Sequence, residues 1–328
     1  MATSRPTIMH IPDGFIDAKT AAVAAVLSVT GIGFAVRQVR RNLPPRRVPL
    51  LGLAAAFLFA AEMVNFPVAG GTSGHLIGGT LVAVLLGPSA AVVVLTTVLI
   101  VQCFLFADGG VLALGANVFN MGIVATLGGY AVFRIVRGLL PGLRGQVAAV
   151  VFAGWCSTVL AAIACAGQLA WSGTVAWAVG FYAMTGIQML VGLGEGAISA
   201  LVWLAIARTR PDLVWDSGVA KVPRRLRELV VLGLLATVGL ALFVAPFACG
   251  WPDGLEKAAA TLGFGHRVSE TLMPAAPMAN YKLPGVASGL LATALAGVIG
   301  VLILFWLVMF FLKCVAPRAG AAATEASR

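Results

Sequence analysis

Long apolar stretches recur along this chain and are separated by short polar or basic segments. A helix needs about 20 apolar residues to cross the roughly 30 Å hydrocarbon layer of a bilayer. Because lipid offers no partner to backbone N–H and C=O groups, stretches of this length predict helical spans. The pattern predicts an all-α, polytopic transmembrane helical bundle of about nine spans, near residues 18–36, 48–66, 75–86, 88–106, 111–133, 147–168, 175–207, 229–247 and 287–312.

Two of these stretches have unusual lengths. Residues 75–86 are few for a full span, and a re-entrant segment is the alternative. Residues 175–207 are many, and we expect this span to be strongly tilted or broken near Gly192, Gly194 and Gly196.

The basic residues predict an orientation. If the N-terminus lies outside, the cytoplasmic segments hold all but five of the 22 Lys and Arg residues. Cytoplasmic loops are enriched in Lys and Arg, so this bias selects the orientation with the N-terminus outside. The net charge of +10 therefore reflects topology. It does not indicate a nucleic-acid partner, because the charges lie in separated loops beside apolar spans.

Composition excludes several functional classes. Hydrophobic residues make up 60% and charged residues 10% of the 328 residues, which is typical of a multi-pass protein in a lipid bilayer. The sequence has no GxxxxGK[ST] phosphate loop, and no constellation of nucleophile, histidine and carboxylate is readable. We therefore expect a non-catalytic protein that either borrows energy from ATPase partners or uses an ion gradient.

The composition of the sequence changes after the first seven predicted spans. Residues 9–210 form one membrane block, 211–228 a basic cytoplasmic linker, and 229–315 a two-span module. Residues 1–8 precede the block as an N-terminal extension. Residues 316–328 are small and polar, and we expect a disordered tail there.

The three histidines, His10, His75 and His266, all fall on the external side of this topology. His75 lies in the Gly-rich turn AGGTSGHLIGG, where glycine allows the backbone to approach a ligand closely. Two interpretations of His75 stay open at this point, a metal ligand and a solvated loop side chain.

His10 directly follows Met9. If translation begins at Met9, its free α-amine, the next amide nitrogen and the His10 imidazole can chelate one metal ion, and His75 can supply a fourth nitrogen. Four nitrogens in a plane suit Ni(II) or Cu(II), with Co(II) also possible. As numbered, MATSRPTI precedes Met9 and blocks this amine. The alternative is that residues 1–17 form a flexible arm.

Three segments carry a resemblance to a known family. MHIPDGFID at 9–17, VNFPVAGGTSGHLIGG at 64–79 and GANVFNMG at 115–122 resemble signature segments of the CbiM/NikM family. Members of this family are substrate-capture components of energy-coupling-factor transporters for cobalt and nickel. The likeness extends over residues 9–210. WPDGLE at 251–256 resembles the PDGLE segment of the small accessory subunit of these transporters, here fused behind the capture subunit.

The resemblance implies a function and a site. Ni(II) or Co(II) would be the transported substrate, with no organic cofactor, and the ligands would be the nitrogens of Met9 and His10 with the imidazole of His75. The implied partners are a membrane-embedded coupling subunit and two ATPase subunits, in a bacterial cytoplasmic membrane. The extension departs from the family pattern, so we expect a true start at Met9 or removal of residues 1–8.

Four polar residues inside predicted spans are candidates for supporting the metal loop. Polar groups at such depth are costly without partners, and residues behind metal ligands commonly orient them. The alternative is that they bond neighbouring helices. These residues are Glu62, Asn65, Asn117 and Asn120.

Glu195 lies near the middle of the seventh predicted span. It is either a proton-relay residue or a hydrogen-bonded packing residue. The first reading belongs to a competing class, a proton- or ion-coupled secondary transporter of a divalent cation without an ATPase partner.

The external loop of the second module carries Asp253, Glu256 and His266. These residues can guide a cation inward by electrostatic attraction. The alternative is that all three are ordinary solvated residues.

Overall fold

The computed structural model describes residues 10–215, 226–269 and 276–315, which are predominantly helical, as predicted. A short antiparallel hairpin of β1 (Phe66–Val68) and β2 (Thr72–Gly74) pairs Pro67 with Ser73. The α-helices are α1 (Ala18–Asn42), α2 (Val48–Glu62), α3 (Gly79–Leu86), α4 (Pro88–Phe106), α5 (Leu114–Asn117), α6 (Thr126–Leu139), α7 (Gly142–Trp171), α8 (Trp177–Thr209), α9 (Leu226–Phe243), α10 (Gly254–Leu262) and α11 (Gly289–Val315).

Seven helical segments in the described part of the chain are long and apolar enough to cross a membrane. One of them runs through α5 and α6, and another extends α9 by a short turn. They are Ala18–Asn42, Pro88–Phe106, Leu114–Leu139, Gly142–Trp171, Trp177–Thr209, Leu226–Phe247 and Gly289–Val315.

Two of the nine predicted spans are shorter than a membrane crossing. Helix α2 has 15 residues and α3 has 8, against the about 20 that a span needs. Helix α2 stops at Glu62, ahead of the hairpin, and α3 begins only after Gly78, whose φ of 68° is left-handed. The prediction of nine spans is therefore not confirmed.

Helix α8 is continuous over 33 residues, so the expected break near its glycines does not occur. The glycines instead allow close packing. A Cβ at Gly192 would lie 2.9 Å from the Trp155 ring, and one at Gly196 would lie 2.5 Å from the Val151 carbonyl. Helices α7 and α8 therefore approach each other at backbone distance.

The last two long helices, α9 and α11, pack against α2 in one continuous apolar core. Glycines again mark the closest contacts. A Cβ at Gly52 would lie 2.9 Å from the Phe305 carbonyl, and one at Gly300 would overlap the Phe59 ring. The region after the linker is therefore packed onto the first seven predicted spans.

Between α5 and α6 the helix widens into a π-helical segment, Val118–Ala125. Such segments are rare and often occur at functional sites. Asn120 and Met121 lie within this segment and face the cavity described below.

Candidate metal site

The N-terminal segment, residues 10–17, is docked against the chain just before α5. Asn117 exchanges two hydrogen bonds with Ile11: its Oδ1 accepts from the Ile11 N–H at 2.9 Å, and its Nδ2 donates to the Ile11 carbonyl at 3.1 Å. The Asp13 carboxylate accepts three successive backbone N–H groups at 2.9 to 3.2 Å. The backbone beside His10 is therefore fixed, so the flexible-arm alternative is wrong for the described residues.

Gly109 makes this docking possible. Its φ of +89° is left-handed, and a Cβ there would lie 3.0 Å from the Cβ of His10 and 2.9 Å from Nδ2 of Asn117. Any side chain at this position would crowd both residues.

The loop that carries His75 is held by a buried carboxylate of α8. Glu195 accepts the backbone N–H of Ile77 at 2.6 Å through Oε2 and that of Gly78 at 2.9 Å through Oε1. Since Glu195 is 0% exposed, both bonds are shielded from water. This is the hydrogen-bonded role that the sequence left as one of two alternatives.

The two anchored segments bring His10 and His75 together. Their ring centroids are 6.0 Å apart, at an interplanar angle of 62°, and both line a cavity of about 80 Å³. With metal–nitrogen bonds of about 2.0–2.1 Å, two imidazoles on one cation have centroids roughly 4.5 to 6.3 Å apart, depending on the bond angle. The observed separation lies within this range but above the roughly 4.5 Å of the cis pair that a square-planar chelate would contain, so the two rings would have to move closer to bind in that chelate.

His10 is in contact with Asp108, in the loop after α4. His10 Nδ1 lies 3.1 Å from Asp108 Oδ1, and both side chains are buried. Neither ring nitrogen of His10 has an aligned hydrogen-bond partner in the described part of the chain. Burial lowers the pKa of His10, but the charge and hydrogen bonding of Asp108, together with the charges of Glu62 and Asp253, outweigh burial and raise the pKa above its ordinary value. A cation must therefore displace a proton that Asp108 helps to hold.

The comparisons with known proteins agree with this geometry. The family described as the cobalt uptake substrate-specific transmembrane region, CbiM, matches residues 10–213. The chain belongs to the CbiM family. A PDGLE domain matches residues 227–317, so we call these two regions the CbiM module and the PDGLE module. The resemblance that the motifs indicated is confirmed.

Several relatives resemble the chain. A protein of Archaeoglobus fulgidus, provisionally named a fused nickel transport protein NikMN, is 37% identical over 90% of this chain and 95% of its own length. The cobalt transport protein CbiM of Geobacter sulfurreducens is 32% identical over 78% of this chain and 79% of its own length. A crystal structure described as a truncated transition metal transporter is 33% identical, covers 61% of this chain and 99% of its own, and has a TM-score of 0.56. The chain is thus a multi-pass cell-membrane protein whose relatives are metal transport proteins.

The polar residues predicted inside the spans of the CbiM module differ in their connections. Asn117 fixes the His10 segment, as described above, and Asn120 lines the cavity. Asn120 also exchanges two hydrogen bonds of 2.9 Å with Gln168 of α7. Glu62 accepts a 2.7 Å hydrogen bond from Gln102 and lies near enough to His10 for its charge to act on that ring.

Asn65, the fourth of these polar residues, does not line the cavity. Its side-chain oxygen is buried with no hydrogen-bond partner among the described residues. Its backbone carbonyl accepts the N–H of Cys249 at 2.8 Å. Asn65 therefore connects the CbiM module to the PDGLE module through its backbone.

The PDGLE module closes one side of the cavity. Asp253 is only 4% exposed and lines the cavity, so the solvated alternative is wrong for it. It caps α10 in a reciprocal pair with Glu256, whose N–H donates to Asp253 at 2.7 Å. Burial, followed by the nearby charge of Glu256, raises the pKa of Asp253 to about 7. The preceding Trp251 and Pro252 carbonyls accept hydrogen bonds from Ser73 at 2.7 and 2.9 Å.

One predicted site residue, His266, is not brought to this cavity by the described structure. Met9 lies outside the described residues, as does the extension at 1–8. His266 is exposed, with Nδ1 at 2.8 Å from the Gly263 carbonyl, and it does not line the cavity. Within residues 10–215, 226–269 and 276–315, no group of three or more His, Cys, Asp or Glu side chains is placed to hold a metal ion.

Sequence reasoning missed two residues that lie behind His10. One is Asp108, and the other is Tyr281, whose hydroxyl donates to Asp108 Oδ2 at 2.6 Å. The dipeptide Gly109-Gly110 after Asp108 was a usable signal, because glycines beside a lone carboxylate at the end of a span permit close approach of another segment.

Proposed function

We propose that this chain is the substrate-binding membrane component of an ATP-driven importer of Ni(II) or Co(II). The observation that carries the proposal is the meeting of His10 and His75, distant in sequence, at 6.0 Å over one cavity. Imidazole nitrogens suit both metals. The cobalt- and nickel-transport names of the relatives support the same substrate class.

The topology supports capture at the external face. With the N-terminus outside, His10, His75 and the PDGLE loop share the external side, and the basic segments lie inside. A membrane-embedded coupling subunit and two ATPase subunits then supply the energy, and they reorient the CbiM module so that the cation reaches the cytoplasm.

Two coordination schemes are compatible with the position of His10. In the chelate with the Met9 amine and the His10 amide, the ring must bind through Nδ1, because only Nδ1 closes a six-membered ring with the amide nitrogen of its own residue. This is the nitrogen that faces Asp108 at 3.1 Å. When the cation binds in this chelate, it therefore replaces Asp108 as the partner of Nδ1. In the second scheme the cation binds Nε2 and the Met9 amine takes no part.

Metal binding by matched histidine variants tests the site. Full-length protein in detergent is titrated with Ni(II), alone and in competition with Co(II). His75→Ala is expected to abolish binding, whereas His266→Ala, which removes an exposed histidine off the cavity, is expected to bind as the unaltered protein does. Equal loss in both variants, or in neither, contradicts the proposed site.

Comparison of two chain starts distinguishes the coordination schemes. Protein purified with Met9 as its first residue has a free amine, and protein that keeps residues 1–8 does not. Tighter binding by the Met9 form supports the chelate. Equal binding by both forms rejects the chelate and leaves the Nε2 scheme.

A second candidate is a secondary transporter with Glu195 as its coupling residue. The two carboxylate oxygens of Glu195 accept hydrogen bonds from the Ile77 and Gly78 N–H groups, which favours a positioning role for Glu195. Uptake that requires co-expressed ATPase subunits and survives collapse of the proton gradient supports the ATP-driven importer. The reverse result supports the secondary transporter.

A further inference from the structure

One hydrogen bond and one ion-pair contact join the PDGLE module to the candidate metal ligand. The Tyr281 hydroxyl donates to Asp108 Oδ2 at 2.6 Å, and Asp108 Oδ1 lies 3.1 Å from His10 Nδ1. The three side chains are all buried, at 7%, 2% and 3% exposure. Tyr281 and His10 therefore act on opposite oxygens of one carboxylate.

The backbone is strained on both sides of this hydrogen bond. Three non-glycine residues of the described chain have a positive φ: Ala107, Asn280 and Tyr281, each at 55°. This left-handed region is unfavourable for residues with a Cβ, and such outliers persist only where the surroundings determine them. Ala107 immediately precedes Asp108, so all three outliers are at or next to the Tyr281–Asp108 pair.

Packing fixes the Tyr281 ring independently of its hydroxyl. The ring stacks on Phe106 with centroids 4.9 Å apart at 21°, and it lies 6.1 Å from Phe59. The Met278 N–H donates to the Leu105 carbonyl at 2.9 Å, which ties the same loop to the end of α4. The hydroxyl is thus presented to Asp108 by a rigid support.

We infer that Tyr281 is a positioning residue for the metal site in the scheme where the cation binds Nε2: it fixes the Asp108 carboxylate, which holds Nδ1 and so orients the His10 imidazole toward the cation. The inference rests on the proposed function. Carboxylates behind ligating histidines set ring orientation and ligand basicity. The PDGLE module therefore contributes to metal affinity in the CbiM module through one hydroxyl group.

Tyr281→Phe tests the inference, because it removes the hydroxyl and keeps the stacked ring. Loss of a residue behind a metal ligand typically weakens binding by about 10–100-fold, so we expect about 3–10-fold weaker Ni(II) binding for a residue one step further out. The ligand-field absorption of bound Ni(II) should also shift, which a purely structural role would not cause. Thermal unfolding of the full-length protein checks that the variant is folded.

The other tyrosines provide matched controls. The chain has three tyrosines; Tyr130 lies in α6 beside Phe133, and Tyr182 lies in α8 and is 74% exposed. Tyr130→Phe and Tyr182→Phe are expected to bind Ni(II) with unchanged affinity and spectrum. A loss in these variants equal to that in Tyr281→Phe would contradict the assignment.

A double-mutant cycle with Asp108→Asn tests the route of the effect. If Tyr281 acts through Asp108, Tyr281→Phe should weaken binding in the unaltered protein and have little further effect beside Asp108→Asn. Fully additive losses, or normal binding by Tyr281→Phe, overturn the inference while the proposed function stands. Failure of the unaltered protein to bind Ni(II) overturns both.

Discussion

The two segments that carry His10 and His75 are both anchored by a carboxylate on backbone N–H groups, but in one case the segment supplies the carboxylate and in the other a helix does. The His10 segment supplies Asp13, which accepts three N–H groups just before α5, and the His10 ring contacts a second carboxylate, Asp108. The His75 loop is held from α8, since Glu195 accepts two N–H groups just after the histidine.

This difference separates two tasks that a carboxylate can perform. Asp13 and Glu195 fix the path of the chain, whereas Asp108 affects the proton and the orientation of the His10 ring. We therefore expect changes at Glu195 to disturb the loop itself and changes around Asp108 to affect mainly metal affinity and its pH dependence.

The largest effect is expected from Glu195→Ala. This change leaves the N–H groups of Ile77 and Gly78 buried without an acceptor, and each such group costs about 1–3 kcal/mol. Ni(II) binding should fall by more than about tenfold, because the His75 loop loses its anchor. Thermal unfolding and Ni(II) titration measure the two effects.

Glu195→Gln keeps one oxygen as an acceptor and should retain most of the binding. Equal loss of binding in both variants would show that the negative charge of Glu195 itself is required.

A smaller effect is expected from Asn117→Ala. The variant removes two hydrogen bonds to Ile11, and net contributions of about 0.5–1.5 kcal/mol per bond predict a moderate loss of stability. Ni(II) affinity should fall with it. Asn120→Ala is the matched control, since Asn120 bonds Gln168 and not the His10 segment. A greater loss of affinity in Asn120→Ala than in Asn117→Ala would reject the anchoring role of Asn117.

The mildest perturbation is a change of pH. Asp108 raises the pKa of His10, and a cation binds only the neutral imidazole, so affinity should decline as the pH falls through that raised value. One displaced proton corresponds to about a tenfold loss per pH unit. The Ni(II) dissociation constant measured from pH 8 to 5.5 gives this slope, and Asp108→Asn should move the decline to lower pH. An affinity that is constant over this range would contradict the role assigned to His10.

The positions of the helices could be predicted from the sequence. Which of these helices are long enough to cross the membrane could be predicted only in part. Each apolar stretch contains a helix, because runs of apolar residues favour helices in lipid and in protein cores alike. Helix α2 shows the limit of this signal. Leu51, Ala55 and Phe59 are 0% exposed and face other helices, so their apolar character reflects burial in protein.

The site shows a similar division. His10 and His75 stood out because their local motifs are unusual, and the structure brings them together. The Tyr281–Asp108 bond joins residues 173 positions apart, a separation at which local spacing carries no information. Asp253 and Glu256 have the spacing of a helix-capping pair, which the sequence did contain. The burial of Asp253 depends on packing against the CbiM module and was not readable locally.

The hold of Glu195 on the His75 loop has a mechanical consequence. Helix α8 has 33 residues, which gives it a length of about 50 Å at 1.5 Å per residue. One end of that rod lies near Trp177 and the other near Thr209, with the loop tethered in between. Any tilt of the rod relative to α5 would move the His75 loop relative to the His10 segment and so change the spacing of the two imidazoles.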